Sequence, residues 1–332
     1  MSGWDLQFGN IKEYNVSEDK IWSLFNFEFN DFKGKRNTYK YGLIKSLLDN
    51  VFNGSINERG VFLTYEQIFD KFAENYWNLV VKYDLHQMRP STNSTLSKVE
   101  QILKKAASIY MVMQSIPFDS IDEEFRGKIV KEVTKECKKY VVGALYNDFE
   151  GIIYSFDLKD SGITLNHCIY EFILKYKLEL EKLNYYAWAK FLEQINDDSA
   201  LVRVIDKLEL ATPKRGNLSV YRELLRREFE ENTCFYCGKK LQNKIHVDHF
   251  IPWDFVKDDK MWNFVLSCST CNERKNNRVP KEKLIIRIEE RNKRIQLFDD
   301  ILIRNDFENY SDDLIRRMWA YAKMGGIKVF EP

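Results

Sequence analysis

Cys234-Phe-Tyr-Cys237, then His246-Val-Asp-His-Phe-Ile-Pro252, then Asn263-Phe-Val-Leu-Ser-Cys-Ser-Thr-Cys-Asn-Glu-Arg-Lys275: these blocks set two Cys-x-x-Cys pairs on either side of a segment holding two of the chain's four histidines. Four thiolates at this spacing are the ligand set of a closed, tetrahedral structural zinc site, so Cys234, Cys237, Cys268 and Cys271 are expected to hold Zn2+. Such a metal acts as a staple. The chemistry is then expected from the side chains between the pairs.

Those side chains suit hydrolysis of a phosphodiester, which needs an activated water, a cation beside the scissile phosphate and help for the leaving oxygen. His249 is the candidate for the first task, because an imidazole with an unperturbed pKa of ~6.5 accepts a proton near neutral pH. Asp248 and Asn272 offer one carboxylate and one amide oxygen, hard donors of the kind that magnesium takes while keeping several waters. In an extended strand Asp248 and His249 point to opposite sides, so both reach one phosphate only if the strand twists or ends there. Pro252, which lacks an N–H, predicts that it ends.

The combination His246-x-Asp-His-x-x-Pro252, Asn263 and Cys-x-x-Cys-Asn272 between cysteine pairs resembles the HNH endonuclease family, whose core is a β-hairpin and a helix around one metal, the ββα-metal or His-Me finger fold. Residues Val247 to Asp259, continuing through Asn263-Phe-Val-Leu, are especially similar to the HNH domain of the RNA-guided CRISPR effector nucleases. The cysteine pairs are shared with free-standing bacterial HNH proteins. The likeness covers about residues 230 to 280. It implies that His249 is the general base, that Asp248 and Asn272 are ligands of the catalytic metal, that Asn263 holds the metal-site loop in shape, and that His246 is the leading His, which orients the site or lies behind its ligands. Taken alone, His246 is open between metal contact and structural hydrogen bonding. One departure bears on the metal: Asn272 stands where many members carry His. An amide is a weaker ligand than imidazole for soft metals, which favours Mg2+ or Mn2+ at the catalytic position.

Outward from this stretch, 332 residues are long enough for two domains, and 44% hydrophobic with 14% aromatic content fits a folded chain. The formal net charge of +1 supplies almost no long-range attraction, so a polyanion must be held by a local basic patch. No apolar run approaches the roughly 20 residues of a membrane span, and Met-Ser-Gly-Trp-Asp-Leu-Gln has no basic segment leading into an apolar one. The expected location is the cytoplasm, with Cys137 and Cys168 as reduced core thiols.

The first thirty residues are aromatic-rich without a clear period. Apolar spacing then predicts helices over Tyr41–Phe52, after the Thr64-x-x-Gln67 and Ser97-x-x-Glu100 capping boxes (the second running to Tyr110), from Ser120-x-x-Glu123 to about Lys139, and over Ile169–Leu192. Tyr140–Tyr146, Gly151–Phe156 and Gly162–Leu165 are β-branched and punctuated by turn residues, which predicts a small antiparallel sheet. Arg89–Thr95 reads as a loop, and Pro213-Lys-Arg-Gly-Asn217 as the break between domains. Beyond it, helices are expected at Tyr221–Glu231, at Lys281 to about Phe298 and after a Ser311 cap. His86 and His167 are taken as structural, and Trp253 and Trp262 as core.

The expected architecture is mainly α with small β elements (α+β). Residues 1–215 form a helical domain with a small β element, 216–281 the ββα-metal domain with its four-cysteine zinc, and 282–332 a helical C-terminal extension. Around the site Arg274, Lys275 and Arg278 are the expected nucleic-acid contacts, at the start of a basic run continuing through Arg287, Arg291 and Arg294, and Lys33, Lys35, Arg36 and Lys40 form a second basic cluster. The expected function is a magnesium-dependent endonuclease acting on nucleic acid, duplex DNA first. Bacterial defence or restriction is its context by analogy. A non-catalytic zinc-dependent module that binds nucleic acid or protein, and an RNA-cutting toxin, remain as alternatives. The N-terminal domain, which lacks a phosphate-binding glycine loop, is left with recognition, a protein partner, dimerisation or restraint of the nuclease.

Overall fold

The structure is a computed structural model, and it describes residues 5–31, 34–92, 94–109, 116–210, 218–228, 232–241 and 245–331. The chain packs as two compact units, Met1–Ile173 with Lys177–Pro213, and Leu174–Tyr176 with Lys214–Pro332. The Pro213–Asn217 break, Lys33 and Tyr110 lie outside the described residues. Among the described residues no helix is long and apolar enough to cross a membrane.

The first unit comprises β1 (Phe8–Gly9), α1 (Glu18–Asn30), α2 (Tyr39–Asp49), β2 (Ser55–Asn57), β3 (Gly60–Thr64), α3 (Tyr65–Trp77), α4 (Lys98–Ile109), α5 (Glu123–Asp148), β4 (Tyr154–Asp157), β5 (Gly162–Leu165), α6 (His167–Leu192), α7 (Asp198–Leu201) and α8 (Val204–Glu209). Its five strands form one antiparallel sheet in the order β1-β4-β5-β3-β2. A Cβ on Gly60 would lie 1.9 Å from the Leu165 carbonyl oxygen, and its φ of +147° is one that side-chain-bearing residues rarely adopt. Both capping boxes form. Thr64 Oγ1 accepts from the Gln67 N–H while Gln67 Oε1 accepts from the Thr64 N–H at 2.8 Å, and Glu100 Oε2 accepts from the Ser97 N–H at 2.8 Å.

The core of this unit is aromatic, with Tyr76 packed at a tilt between Phe72 at 4.5 Å and Trp188 at 5.3 Å. It also encloses a charged cluster. Lys45 pairs with Asp49 and, at 3.0 Å, with Glu181, and Asn75 Nδ2 donates to the other Asp49 oxygen at 3.2 Å. Burial works against the Lys45 charge, but Asp49 and Glu181 outweigh it and hold the ammonium protonated.

Several expectations need correction. Tyr140–Tyr146 is not a strand but the last part of α5, where Cys137, Val141, Val142, Leu145 and Tyr146 fall on one buried helical stripe. Only Tyr154–Asp157 and Gly162–Leu165 of that region are strands, paired as a hairpin. The cap of α5 is Asp122, whose Oδ1 accepts from the Phe125 N–H at 3.2 Å, and not Ser120. The opening residues hold α1, capped by Ser17. Of the second basic cluster, Lys35 is buried with its Nζ 2.8 Å from Glu28 Oε1, Lys40 pairs with Asp148, and Arg36 donates to Ser91 Oγ. Lys35 and Lys40 are thereby tied into the fold by ion pairs. His86 faces Glu100 Oε1 at 3.2 Å, and His167 Nε2 lies 2.8 Å from the Asn57 carbonyl. Burial pushes the Cys137 thiol up to about 12, as for an unreactive core thiol.

The second unit comprises α9 (Ser219–Glu228), β6 (His246–His249), α10 (Trp253–Val256), β7 (Phe264–Ser267), α11 (Ser269–Lys275), β8 (Val279–Pro280), α12 (Ile285–Ile295), α13 (Ile301–Phe307), α14 (Asp312–Met324) and β9 (Val329–Phe330). The β6–β7 pair is antiparallel and leads through Cys268 into α11, a ββα unit. Helix α12 begins only at Ile285, after a 3-10 turn at Glu282–Leu284. The residues after 281 close back on this unit, since β9 pairs in parallel with β8 and Trp319 Nε1 donates to the Pro280 carbonyl at 2.7 Å.

Candidate functional site

The first cysteine pair sits in a tight knuckle. The Gly238 N–H donates to the Cys234 carbonyl at 2.9 Å, the Cys234 N–H donates to the Lys239 carbonyl at 2.8 Å, and Gly238 takes φ +73°, the left-handed conformation that a glycine adopts without a Cβ penalty. The second pair spans the end of β7 and the first turn of α11. Register brings the pairs together, because the Phe235 N–H donates to the Leu266 carbonyl at 2.9 Å. The four ligand sulfurs lie within 4.8 Å of one another, and Cys237 Sγ is 3.9 Å from Cys268 Sγ. A tetrahedral zinc with Zn–S bonds of about 2.3 Å needs sulfurs about 3.8 Å apart, so this thiol quartet fits the ion. Burial pushes the Cys234 and Cys271 thiols up, a cost that a divalent cation bound to them as thiolates would offset.

Between the pairs, β6 ends at His249, and Asn263 fastens the turn that follows. Fully buried, it accepts from the Ile251 N–H at 2.7 Å through Oδ1 and donates to the Ile251 carbonyl at 2.9 Å through Nδ2, while its carbonyl accepts from the Phe250 N–H at 2.7 Å. One amide side chain thereby fixes both the donor and the acceptor of the residue two beyond His249. Asp248 and His249 leave the strand on opposite faces, as alternation requires. His249 is buried between Trp253 and Phe264, with ring centroids 5.3 and 4.6 Å away. Its Nε2 lies 2.9 Å from Asp259 Oδ1. A carboxylate facing Nε2 fixes the proton on that nitrogen and leaves the Nδ1 lone pair as the basic one.

Asp248 Oδ2 accepts from the Tyr236 hydroxyl at 2.6 Å and faces Lys275 Nζ at 3.3 Å. Tyr236 is buried, and burial together with the Asp248 carboxylate raises its pKa well above that of a free phenol, so it donates. Lys275 Nζ also donates to the His249 carbonyl at 2.6 Å. Asn272 is half-buried on α11, one helical turn before Lys275, which sets it on the helix side that faces Asp248. His246 Nε2 lies 3.1 Å from Ser269 Oγ at the start of α11.

The site residues read from spacing are thus in one ββα unit, and its nucleic-acid side needs one correction. Lys275 is not a surface cation but is fully buried against Asp248 and His249. Arg274 and Arg278 are exposed, with Arg274 Nη2 donating to the Glu331 carbonyl at 3.3 Å. In the basic run beyond, Arg291 is buried and donates to the carbonyls of Met261 and Trp262 at 3.0 and 3.2 Å, and Asn292 Nδ2 shares the latter at 3.0 Å. Trp262 is core, stacked 6.1 Å from Tyr310.

Asp259, Tyr236 and Lys275 escaped the sequence reading as partners of the site. Asp259 also belongs to an acidic pocket in which Tyr221 donates to its carbonyl at 3.2 Å and Asp306 accepts from the Met261 N–H at 2.7 Å. Burial pushes the Asp306 carboxyl up to about 6 despite Lys260 at 3.8 Å. A second aspartate in Asp258-Asp259 after the Asp-His-x-x-Pro block was the only sequence signal for this partner.

Comparison with known proteins agrees with this geometry. Neither the curated proteins nor the solved structures give a match to the chain. Residues 234–281, from the first of the four cysteines to the end of the segment carrying Asp248, His249, Asn263 and Asn272, match the model of the HNH endonuclease family. With a ββα unit and a cysteine quartet in the same 48 residues, this segment is an HNH endonuclease domain.

Proposed function

We propose that the chain is a metal-dependent endonuclease that hydrolyses phosphodiester bonds in DNA, with His249 as its general base. The observation that carries this reading is the 2.9 Å contact of His249 Nε2 with Asp259, on the strand that also presents Asp248. With Nε2 donating to the carboxylate, Nδ1 takes the proton of the attacking water, and Asp259 stabilises the imidazolium that results. Lys275 and Asn263 hold the backbone on either side of the base, through the His249 carbonyl and both polar groups of Ile251. Asp248 and Asn272 would hold Mg2+ or Mn2+, an oxygen donor set suited to either. That ion, when bound, supplies the positive charge that offsets the developing phosphorane and the departing 3′ oxygen. Arg274 in the last turn of the ligand helix and Arg278 just beyond it, both exposed, contact backbone phosphates.

The test is cleavage of supercoiled plasmid by wild type and by His249→Ala at equal zinc content, with Mg2+, Mn2+ or chelator. Nicking or linearisation that needs the added metal and is lost in the variant is expected. Equal cleavage by both proteins, or none by either, overturns the reading. Parallel reactions on duplex DNA, single strands and structured RNA decide the substrate, with duplex DNA expected to be cut fastest.

A further inference from the structure

Tyr236 belongs to one metal site by sequence and to another by contact. It is the third residue of the Cys234-Phe-Tyr-Cys237 knuckle, yet its hydroxyl reaches Asp248 Oδ2 at 2.6 Å. Lys275 Nζ approaches that same oxygen at 3.3 Å from the last residue of α11, the helix that opens on Cys268 and carries Cys271. Both anchors are buried, and the Tyr236 ring is wedged edge-on against Phe235 at 5.5 Å and Phe330 at 5.6 Å. Two donors on one carboxylate oxygen fix the rotation of the group and turn the other oxygen away from them. We infer that Tyr236 is a positioning residue which, with Lys275, presents Asp248 Oδ1 to the catalytic cation, so that the zinc knuckle sets the affinity of the site for its second metal. This inference rests on Asp248 being a ligand of that cation. Partners that orient a ligand typically account for about 10- to 100-fold in metal affinity.

The experiment is titration of the full chain with Mn2+, followed by the electron paramagnetic resonance signal of the free ion, for wild type, Tyr236→Phe and Asp248→Ala. Zinc content is measured on each. Tyr236→Phe is expected to keep its zinc and bind Mn2+ about 10- to 100-fold more weakly, and Asp248→Ala to lose the site. Wild-type Mn2+ affinity in Tyr236→Phe beside loss in Asp248→Ala overturns the positioning role alone. Unchanged affinity in Asp248→Ala removes the ligand assignment itself, and the inference with it. Loss of zinc in Tyr236→Phe also counts against it, because the ring would then serve the knuckle and not Asp248.

A separate observation in the first unit carries a second proposal. Lys98 and Lys105 on α4 and Lys128, Lys131 and Lys135 on α5 are exposed and line one groove of about 650 Å³, with Glu132 and Glu136 as its acidic members. The groove thus concentrates an excess of positive charge in a chain whose total is +1. Apart from Lys128, these lysines are in no ion pair among the described residues. Along α5 they recur at three- and four-residue intervals over about 10 Å, a run that matches about three backbone steps of a nucleic-acid strand. We propose that this groove binds the phosphodiester backbone of nucleic acid without reading its sequence. The test is fluorescence anisotropy of a labelled 20-base-pair duplex, an RNA hairpin and phosphatidylserine vesicles, on His249→Ala and on the same protein with Lys98, Lys105, Lys131 and Lys135 changed to Gln. The added changes are expected to weaken duplex or hairpin binding and to flatten its log–log salt slope by about 3. Unchanged affinity and slope, no nucleic-acid binding by either protein, or an effect confined to vesicles overturns the proposal.

Discussion

Asp259 decides which nitrogen of His249 is basic. Its replacement by Asn, which can donate to Nε2 and so favours the proton on Nδ1, is expected to lower kcat for plasmid cleavage by about 10²- to 10⁴-fold at unchanged zinc content. Cleavage at the wild-type rate would show that His249 does not work through Nδ1. Asn263 acts on shape instead. Asn263→Ala strips the donor and acceptor from the buried Ile251 peptide groups and should cost about 2–4 kcal/mol, read as a lowered unfolding temperature. Asn263→Asp is not expected to rescue it, since a carboxylate cannot donate to the Ile251 carbonyl. At this scale the sequence was readable where chemistry dictates spacing, as in the cysteine quartet, whose four sulfurs gather within 4.8 Å. It was silent where partners meet only through the fold. Tyr236 and Asp248 are twelve positions apart and Lys275 and His249 twenty-six, and no local pattern announces either pair. A lysine flanked by Arg274 and Asn276 reads as surface by composition, although its place one turn after Asn272 was a signal that it faces the site.

Helix α13 brings a pH-sensitive carboxyl to the site region. The Asp306 carboxyl is pushed from 3.8 up to about 6, mainly by burial, so the folded state holds this proton more tightly than the unfolded chain does. The contribution favours folding below about pH 4 and is lost as the pH rises through 6. Asp306→Asn stays neutral and keeps an oxygen for the Met261 N–H. Relative to wild type it should gain on the order of 2–3 kcal/mol between pH 4 and pH 7. Thermal unfolding of both proteins across that range checks this, and a constant difference between them would refute it. Elements were legible where apolar spacing was uninterrupted, as in α2, α3 and α6. Helix α1 was missed although Ile21, Leu24, Phe25, Glu28 and Phe29 form its buried stripe, because Phe27 on the outer face blurs the period. The end of α5 was misread because β-branched Val141 and Val142 favour strand locally, and packing of a helical stripe outweighed that preference.

At the scale of the whole chain, zinc is expected to stabilise one unit and leave the other alone. Calorimetry of the full chain should show two transitions, of which only one moves down when a strong chelator removes the metal. A shift of both by the same amount would mean that the units unfold as one. The architecture class was legible from the alternation of helical runs with short β-branched ones. What composition did not reveal is how much of the chain beyond the HNH segment serves it. Asp306 on α13, Arg291 and Asn292 on α12, Trp319 on α14 and the β9 strand all bind backbone between Met261 and Pro280. The HNH segment is therefore not a portable cassette. A graft limited to 234–281 would arrive with the Met261 N–H, the Met261 and Trp262 carbonyls and the Pro280 carbonyl stripped of their partners, whereas 218–331 carries its own scaffolding into a new host. A transfer into a new host is therefore expected to succeed only with the longer piece.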